Sequence, residues 1–212
     1  MAETPLAARP PYSEPRQQHD AAMMGMYLFL GSEIMLFGGI FAVAAVIRIL
    51  HPADIVESSR ALHYLIGALN TGVLLTSSFF VASAVEATKG GRRRAGATWL
   101  AAAAVAGLVF LVVKGYEYGA EYREGLLPLP GADTQFRTAP QHLFMNLYVL
   151  ATGLHAIHLL IGIVLLSVLA PCLAFGKVRL PDRGILIIAA ALYWHLVDVI
   201  WVFIYPVFYL AR

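Results

Sequence analysis

Tyr193-Trp194-His195-Leu196-Val197-Asp198-Val199-Ile200-Trp201 stands at the centre of an apolar run from Ile185 to Leu210. A run of about 25 mostly apolar residues is long enough to cross a bilayer as one helix. His195 and Asp198 fall near its middle, where an ionisable side chain is costly against lipid and turns toward protein. Three positions apart, they share one helix face. Every other apolar run is a candidate partner for that face.

Composition supplies such runs. Of 212 residues, 59% are hydrophobic and 13% charged, with a mean hydropathy of +0.72. A soluble domain carries about 25% charged residues. The chain therefore reads as an all-α, polytopic membrane protein. Its five spans cover about 23–47, 62–87, 97–118, 142–169 and 185–210, in one domain over 23–212. Residues 1–22 hold Pro5, Pro10, Pro11 and Pro15 but lack the apolar core of a signal peptide, and read as a flexible tail. Residues 48–60, with Pro52, read as a polar loop. Pro171 is expected to close the fourth span and Pro206 to kink the fifth. A net charge of +2 is too small to suggest a nucleic-acid partner. The single cysteine, Cys172, excludes an internal disulfide or a cysteine metal cluster.

Basic residues give an orientation. Lys89 with Arg92, Arg93 and Arg94, and Lys177, Arg179 and Arg183, fall in the second and fourth connections. Lys and Arg collect on the cytoplasmic side, which predicts a cytoplasmic N-terminus and a periplasmic C-terminus. Arg48, Arg60, Arg92, Arg93 and Arg94 are candidate contacts for anionic lipid head groups. At about 1.5 Å per residue, Glu33, His155, His158, His195 and Asp198 reach similar mid-membrane depths.

Two readings of that layer stay open. Histidines from two helices can ligate haem, and the same groups suit zinc or copper. Alternatively they are helix–helix ties, because lipid provides no hydrophobic drive between helices. Gly31, Gly38, Gly39, Ala103, Gly107, Gly153 and Gly162 would then give close approach, and Thr152, His155, His158, His195 and Asp198 the bonds. Glu33, with only Ser32 as a polar neighbour, can pass a proton or bond to a partner helix. Lys114 and Glu117 fall at the outer end of the third span. They read as an interfacial ion pair of small energetic worth, with the lysine snorkelling. Tyr116, Tyr118, Tyr205 and Tyr209 read as interfacial anchors. No nucleophile–base pair, phosphate loop or metalloprotease motif is present.

Five ordered motifs carry a family resemblance. They are Ser32-Glu33, Leu69-Asn70-Thr71, Gly115-Tyr116-Glu117-Tyr118, Thr152-Gly153-Leu154-His155-Ala156-Ile157-His158 with Gly162, and the closing Tyr193–Trp201 stretch. From about Met23 onward the chain resembles subunit III of haem–copper respiratory oxidases in its five-helix bacterial form. The resemblance implies a non-redox subunit of cytochrome c oxidase in the bacterial inner membrane. It would bind phospholipid, pack on subunit I alongside subunit II, and leave haem and copper to those partners. It implies that Glu33 supports proton uptake. It also implies that Ser32, Asn70, Glu117, Thr152, His155, His158, His195 and Asp198 form a structural polar layer. Cytochrome c, or quinol in a quinol oxidase, would donate electrons. A five-helix accessory protein of nitric oxide reductase systems is similar in pattern.

Overall fold

The computed structural model of the chain describes residues 15–127, 136–176 and 184–211. Their regular elements are all helical: α1 (Pro15–Leu50), α2 (Pro52–Ala61), α3 (Tyr64–Lys89), α4 (Arg93–Arg123), α5 (Ala139–Ala174) and α6 (Gly184–Ile204), followed by a π-helical turn, Tyr205–Tyr209. Five stretches are long and apolar enough to cross a membrane: Asp20–Leu50, Tyr64–Lys89, Arg93–Arg123, Ala139–Ala174 and Ile185–Tyr209. The fold is all-α with five candidate spans, as hydropathy predicts. The second basic turn, from Lys177 to Arg183, lies outside the described residues.

The chain divides after Leu36 into two compact units. In the first, α1 starts at Pro15 rather than near Met23. Proline suits a first helical turn, and the polar residues after it are ordinary helix formers. Polarity there set the edge of the apolar run, not the edge of the helix.

The second unit, Phe37–Arg212, holds the bundle. The segment after Arg48, expected as a loop, forms α2. Pro52 occupies its first turn with Asp54, and Arg60 its last. Those charges complement the helix dipole. α2 then grips the start of α5. Thr138 and Gln141 form a capping box there, which satisfies two N-terminal N–H groups. Thr138 Oγ1 donates to Asp54 Oδ1 at 2.9 Å and Gln141 Nε2 to Glu57 Oε2 at 2.9 Å. Pro171 lies inside α5, which runs on to Ala174.

Pro206 lacks an N–H, and its ring crowds the carbonyl four residues back. The chain widens into the π turn there. Ser59 Oγ donates to the Phe208 carbonyl at 2.8 Å, tying that turn to α2.

Two tryptophans on α6 set the packing of α3 to α6. Trp194 Nε1 donates to Ser77 Oγ at 3.0 Å, and Trp201 Nε1 to Thr71 Oγ1 at 3.0 Å. Rising numbers on α6 meet falling ones on α3, so the two run antiparallel. Trp194 is wholly buried, and the space for it comes from two glycines. A Cβ on Gly107 would stand 2.8 Å from its ring, and one on Gly162 2.9 Å. Gly31, Gly38, Gly39 and Gly153, also expected at close contacts, have open space instead.

Gly162→Ala is therefore expected to overpack the Trp194 site and cost about 1–3 kcal/mol, with Gly153→Ala neutral. Thermal unfolding of the detergent-solubilised protein checks this; equal midpoints for the two variants would contradict it.

Candidate functional site

Lys114, Glu117 and Glu121 recur at helical spacing on α4 and so form one stripe. The stripe faces inward: the three residues are 2%, 0% and 0% exposed. Lys114 Nζ donates to Glu117 Oε2 at 3.0 Å, to the Tyr148 hydroxyl at 2.8 Å and to the Tyr209 hydroxyl at 2.5 Å. Tyr209 reaches Glu117 Oε1 at 2.8 Å, and Tyr148 reaches Glu121 Oε1 at 2.7 Å. The two phenol oxygens are 2.9 Å apart. Nζ also lies 4.8 Å from the ring centroids of Tyr118 and Tyr148 and 5.2 Å from that of Tyr209. Rings at that range attract a cation, more strongly where water is excluded.

This corrects the interfacial ion pair expected at Lys114 and Glu117. An ammonium snorkels when only water can satisfy it. Here two phenols and a carboxylate take its three protons inside the bundle. Two of the expected anchor tyrosines are inside as well. Tyr209 is buried, while Tyr118 is half-buried and bonds to Thr152. Tyr205 donates to the Tyr64 carbonyl at 3.3 Å. Tyr116 is 67% exposed, as an anchor requires.

The cluster depends on local geometry at three elements. On α5, Tyr148 stands one heptad before His155, on the same face. The π turn presents Tyr209 to α4. Gly67 on α3 leaves room for that turn, since a Cβ there would be 2.9 Å from the Tyr205 ring and 3.2 Å from the Tyr209 ring.

The remaining polar residues divide into two groups. Some join helices. Asn70 Nδ2 approaches the Phe110 carbonyl at 3.5 Å, linking α3 to α4. Thr152 meets Tyr118 across α4 and α5 and also donates to the Tyr148 carbonyl at 2.6 Å. His195 Nδ1 lies 2.6 Å from Ser78 Oγ, so α6 holds α3, whereas neither carboxyl oxygen of the buried Asp198 has a hydrogen-bond partner among the described residues. For two others the side chain bonds within its own helix, although the His158 carbonyl accepts from the Tyr193 hydroxyl on α6 at 2.9 Å. Ser32 Oγ donates to the Phe29 carbonyl at 2.7 Å, and His158 Nδ1 lies 2.8 Å from the Leu154 carbonyl, each within its own helix. The His158 ring does reach α1, 5.6 Å from Phe37.

His155 was expected to supply interhelical bonds, and it does not. Its ring lies against those of Phe110, 5.6 Å away, and Trp201, 5.2 Å away, which also touch each other. Neither ring nitrogen has a hydrogen-bond partner among the described residues. Among the described residues, no group of three His, Cys, Asp or Glu side chains converges as a metal site. Glu33 is half-buried in the first unit.

Arg48, Arg60, Arg92, Arg93 and Arg94 are exposed. Arg60 lines a shallow groove of about 440 Å³ with Pro52, Ala53, Val56 and Glu57. The Arg93 guanidinium lies against Gly176, just past the end of α5, where the helix dipole favours a cation.

Glu121, Tyr148, Ser77 and Ser78 escaped the sequence reading. Heptad spacing carried a signal for two of them: Glu121 follows Lys114 by seven, and Tyr148 precedes His155 by seven. For the serines no sequence signal is evident.

The family described as cytochrome c oxidase subunit III matches residues 16–211 of the chain. Cytochrome c oxidase subunit 3 of Synechocystis sp. is 31% identical over 193 residues, covering 90% of this chain and 76% of that protein. The protein of the same name in Thermostichus vulcanus is 31% identical, covering 90% and 88%. A heme-copper oxidase subunit I+III of Aeropyrum pernix is 26% identical over 197 residues, which are 91% of this chain and 23% of that longer protein.

Lys114→Met is expected to cost about 3–5 kcal/mol, because it leaves Glu117 buried without its counter-ion. The double variant Lys114→Met/Glu117→Gln should recover part of that loss. Unfolding midpoints of the four proteins in a double-mutant cycle decide the matter, and additive losses would show that the two groups are not coupled.

Proposed function

Since the chain belongs to the cytochrome c oxidase subunit III family, a component of haem–copper oxidases in membranes, we propose that it is a non-redox subunit that stabilises the oxygen-reducing subunit. The match over residues 16–211 carries this reading. In the Aeropyrum pernix relative, one polypeptide is named as subunits I and III together, which supports a direct partnership with subunit I. Subunit II, and cytochrome c as the electron donor to the complex, complete the partners. Haem and copper belong to those partners. The chain binds phospholipid and spans the bacterial inner membrane five times, with its N-terminus in the cytoplasm.

The arginines support the lipid role. Arg92, Arg93 and Arg94 crowd the start of α4, where cations oppose the helix dipole. Their presence there does nothing for the helix. It suits anionic head groups at the cytoplasmic surface.

Glu33 serves proton uptake into the neighbouring subunit. It is an acid amid an apolar run, in a helix long enough to cross the membrane. An intramembrane acid at such a position is costly unless it has work to do.

Purification through a tag on this chain in mild detergent is expected to bring down a haem-containing partner, while the chain expressed alone shows no Soret band. A Soret band from the lone chain would overturn the reading. In the assembled enzyme, Glu33→Ala should leave initial oxygen reduction intact and shorten the number of turnovers before activity is lost. Undiminished activity over many cycles would remove that role. His195→Leu, which breaks the link to Ser78, should lower the yield of complex without slowing electron transfer in what assembles. Full yield with slowed electron transfer would contradict it.

A further inference from the structure

Hydrogen counting in the cluster on α4 leads beyond a structural tie. Six polar contacts join five groups: three from Lys114 Nζ, one from each phenol to a glutamate, and one between the phenols. With both carboxyls ionised, the hydrogens available are three on the ammonium and one on each phenol. That leaves one contact with none. Because each phenol hydrogen is directed to a carboxylate, the phenol oxygens would face each other at 2.9 Å with lone pairs only. Two carboxylates and one ammonium would also leave these five groups with a net negative charge in residues at most 2% exposed.

One added proton resolves both. We propose that the Lys114, Glu117, Glu121, Tyr148 and Tyr209 cluster is a buried proton-binding site that holds one proton, resting on Glu121. Glu121 Oε1–H then donates to Tyr148, Tyr148 to Tyr209, and Tyr209 to Glu117, while the ammonium keeps its three bonds. All six contacts carry a hydrogen, and the cluster is neutral. Glu117 is the ionised member because it touches the ammonium directly, at 3.0 Å, whereas Glu121 is reached only through a phenol.

The same chain has a second form. The proton on Glu121 passes to Tyr148 as Tyr148 passes its own to Tyr209 and Tyr209 its own to Glu117. Three protons shift, no other bond changes, and the charge moves from Glu117 to Glu121. The site therefore offers a path for a proton between two carboxyls one helical turn apart.

Among the described residues, several groups face Glu121, the half-buried Tyr118 on its own helix among them. Lys114, Glu117 and Glu124 share its helix, Tyr148 comes from α5, and Tyr209 reaches it through Tyr148. From outside α4, His63 lies 3.5 Å from Glu124.

The test is infrared spectroscopy near neutral pH on the protein purified with whatever assembles with it. Wild type and Glu121→Gln are compared in light and heavy water. A carboxylic-acid C=O band that shifts in heavy water and is lost in Glu121→Gln is expected. Glu121→Gln should assemble and melt as wild type does, since the amide N–H₂ can donate to Tyr148 as the acid does. Glu117→Gln should assemble poorly. If Glu121→Gln removes only carboxylate bands, or fails to assemble while Glu117→Gln succeeds, Glu121 is the ionised partner and the proposal falls.

Discussion

A bundle of apolar helices in lipid has no hydrophobic reason to close, because lipid tails solvate leucine as well as another helix does. What holds α4, α5 and the π turn at one end of this bundle is the Lys114 ammonium. It sits where neither water nor lipid head groups serve it, so its three protons must be met by protein. Glu117 on its own helix, Tyr148 on α5 and Tyr209 on the π turn meet them. Remove any one and a buried charge loses a bond it cannot replace.

That demand explains features elsewhere in the chain. Tyr209 is presented to Lys114 on a turn widened at Pro206. The turn needs the space at Gly67 and is tied to α2 by Ser59. α2 in turn clasps the capping box of α5 through Asp54 and Glu57, so the helix carrying Tyr148 is fixed by the same short element. Further along, Trp201 and His155 each meet Phe110 in edge-on contact, and Trp194 fills the gap opened by Gly107 and Gly162. Polar ties and glycine-made gaps occur together, at Tyr209 with Gly67 and at Trp194 with Gly107 and Gly162. Each layer uses van der Waals contact where side chains fit and a hydrogen bond where a polar atom would otherwise be stranded.

The arrangement is consistent with the proposed role of lending stability to another subunit. Its chemistry-bearing residues are committed inward, to helix–helix ties and to the ammonium cluster, and its outer surface is broadly apolar, with Leu69, Met35 and Val112 among the most exposed. Glu33 belongs to the first unit.

Hydropathy alone determined the five spans and the helical class, because the thickness of a bilayer dictates the length of an apolar run. Motif order pointed to the family, and the i,i+3 spacing of Lys114 with Glu117 and of His195 with Asp198 placed each pair on one helix face. Spacing cannot say which way a face points. Lys114 near a span end has the pattern of an interfacial lysine, and only the approach of Tyr148 and Tyr209 from other helices makes it a buried one. His155 and His195 share a residue type and an apolar setting, yet one meets aromatic rings and the other a serine hydroxyl. Those outcomes belong to tertiary structure, because they depend on which side chain of a distant segment arrives at the same depth.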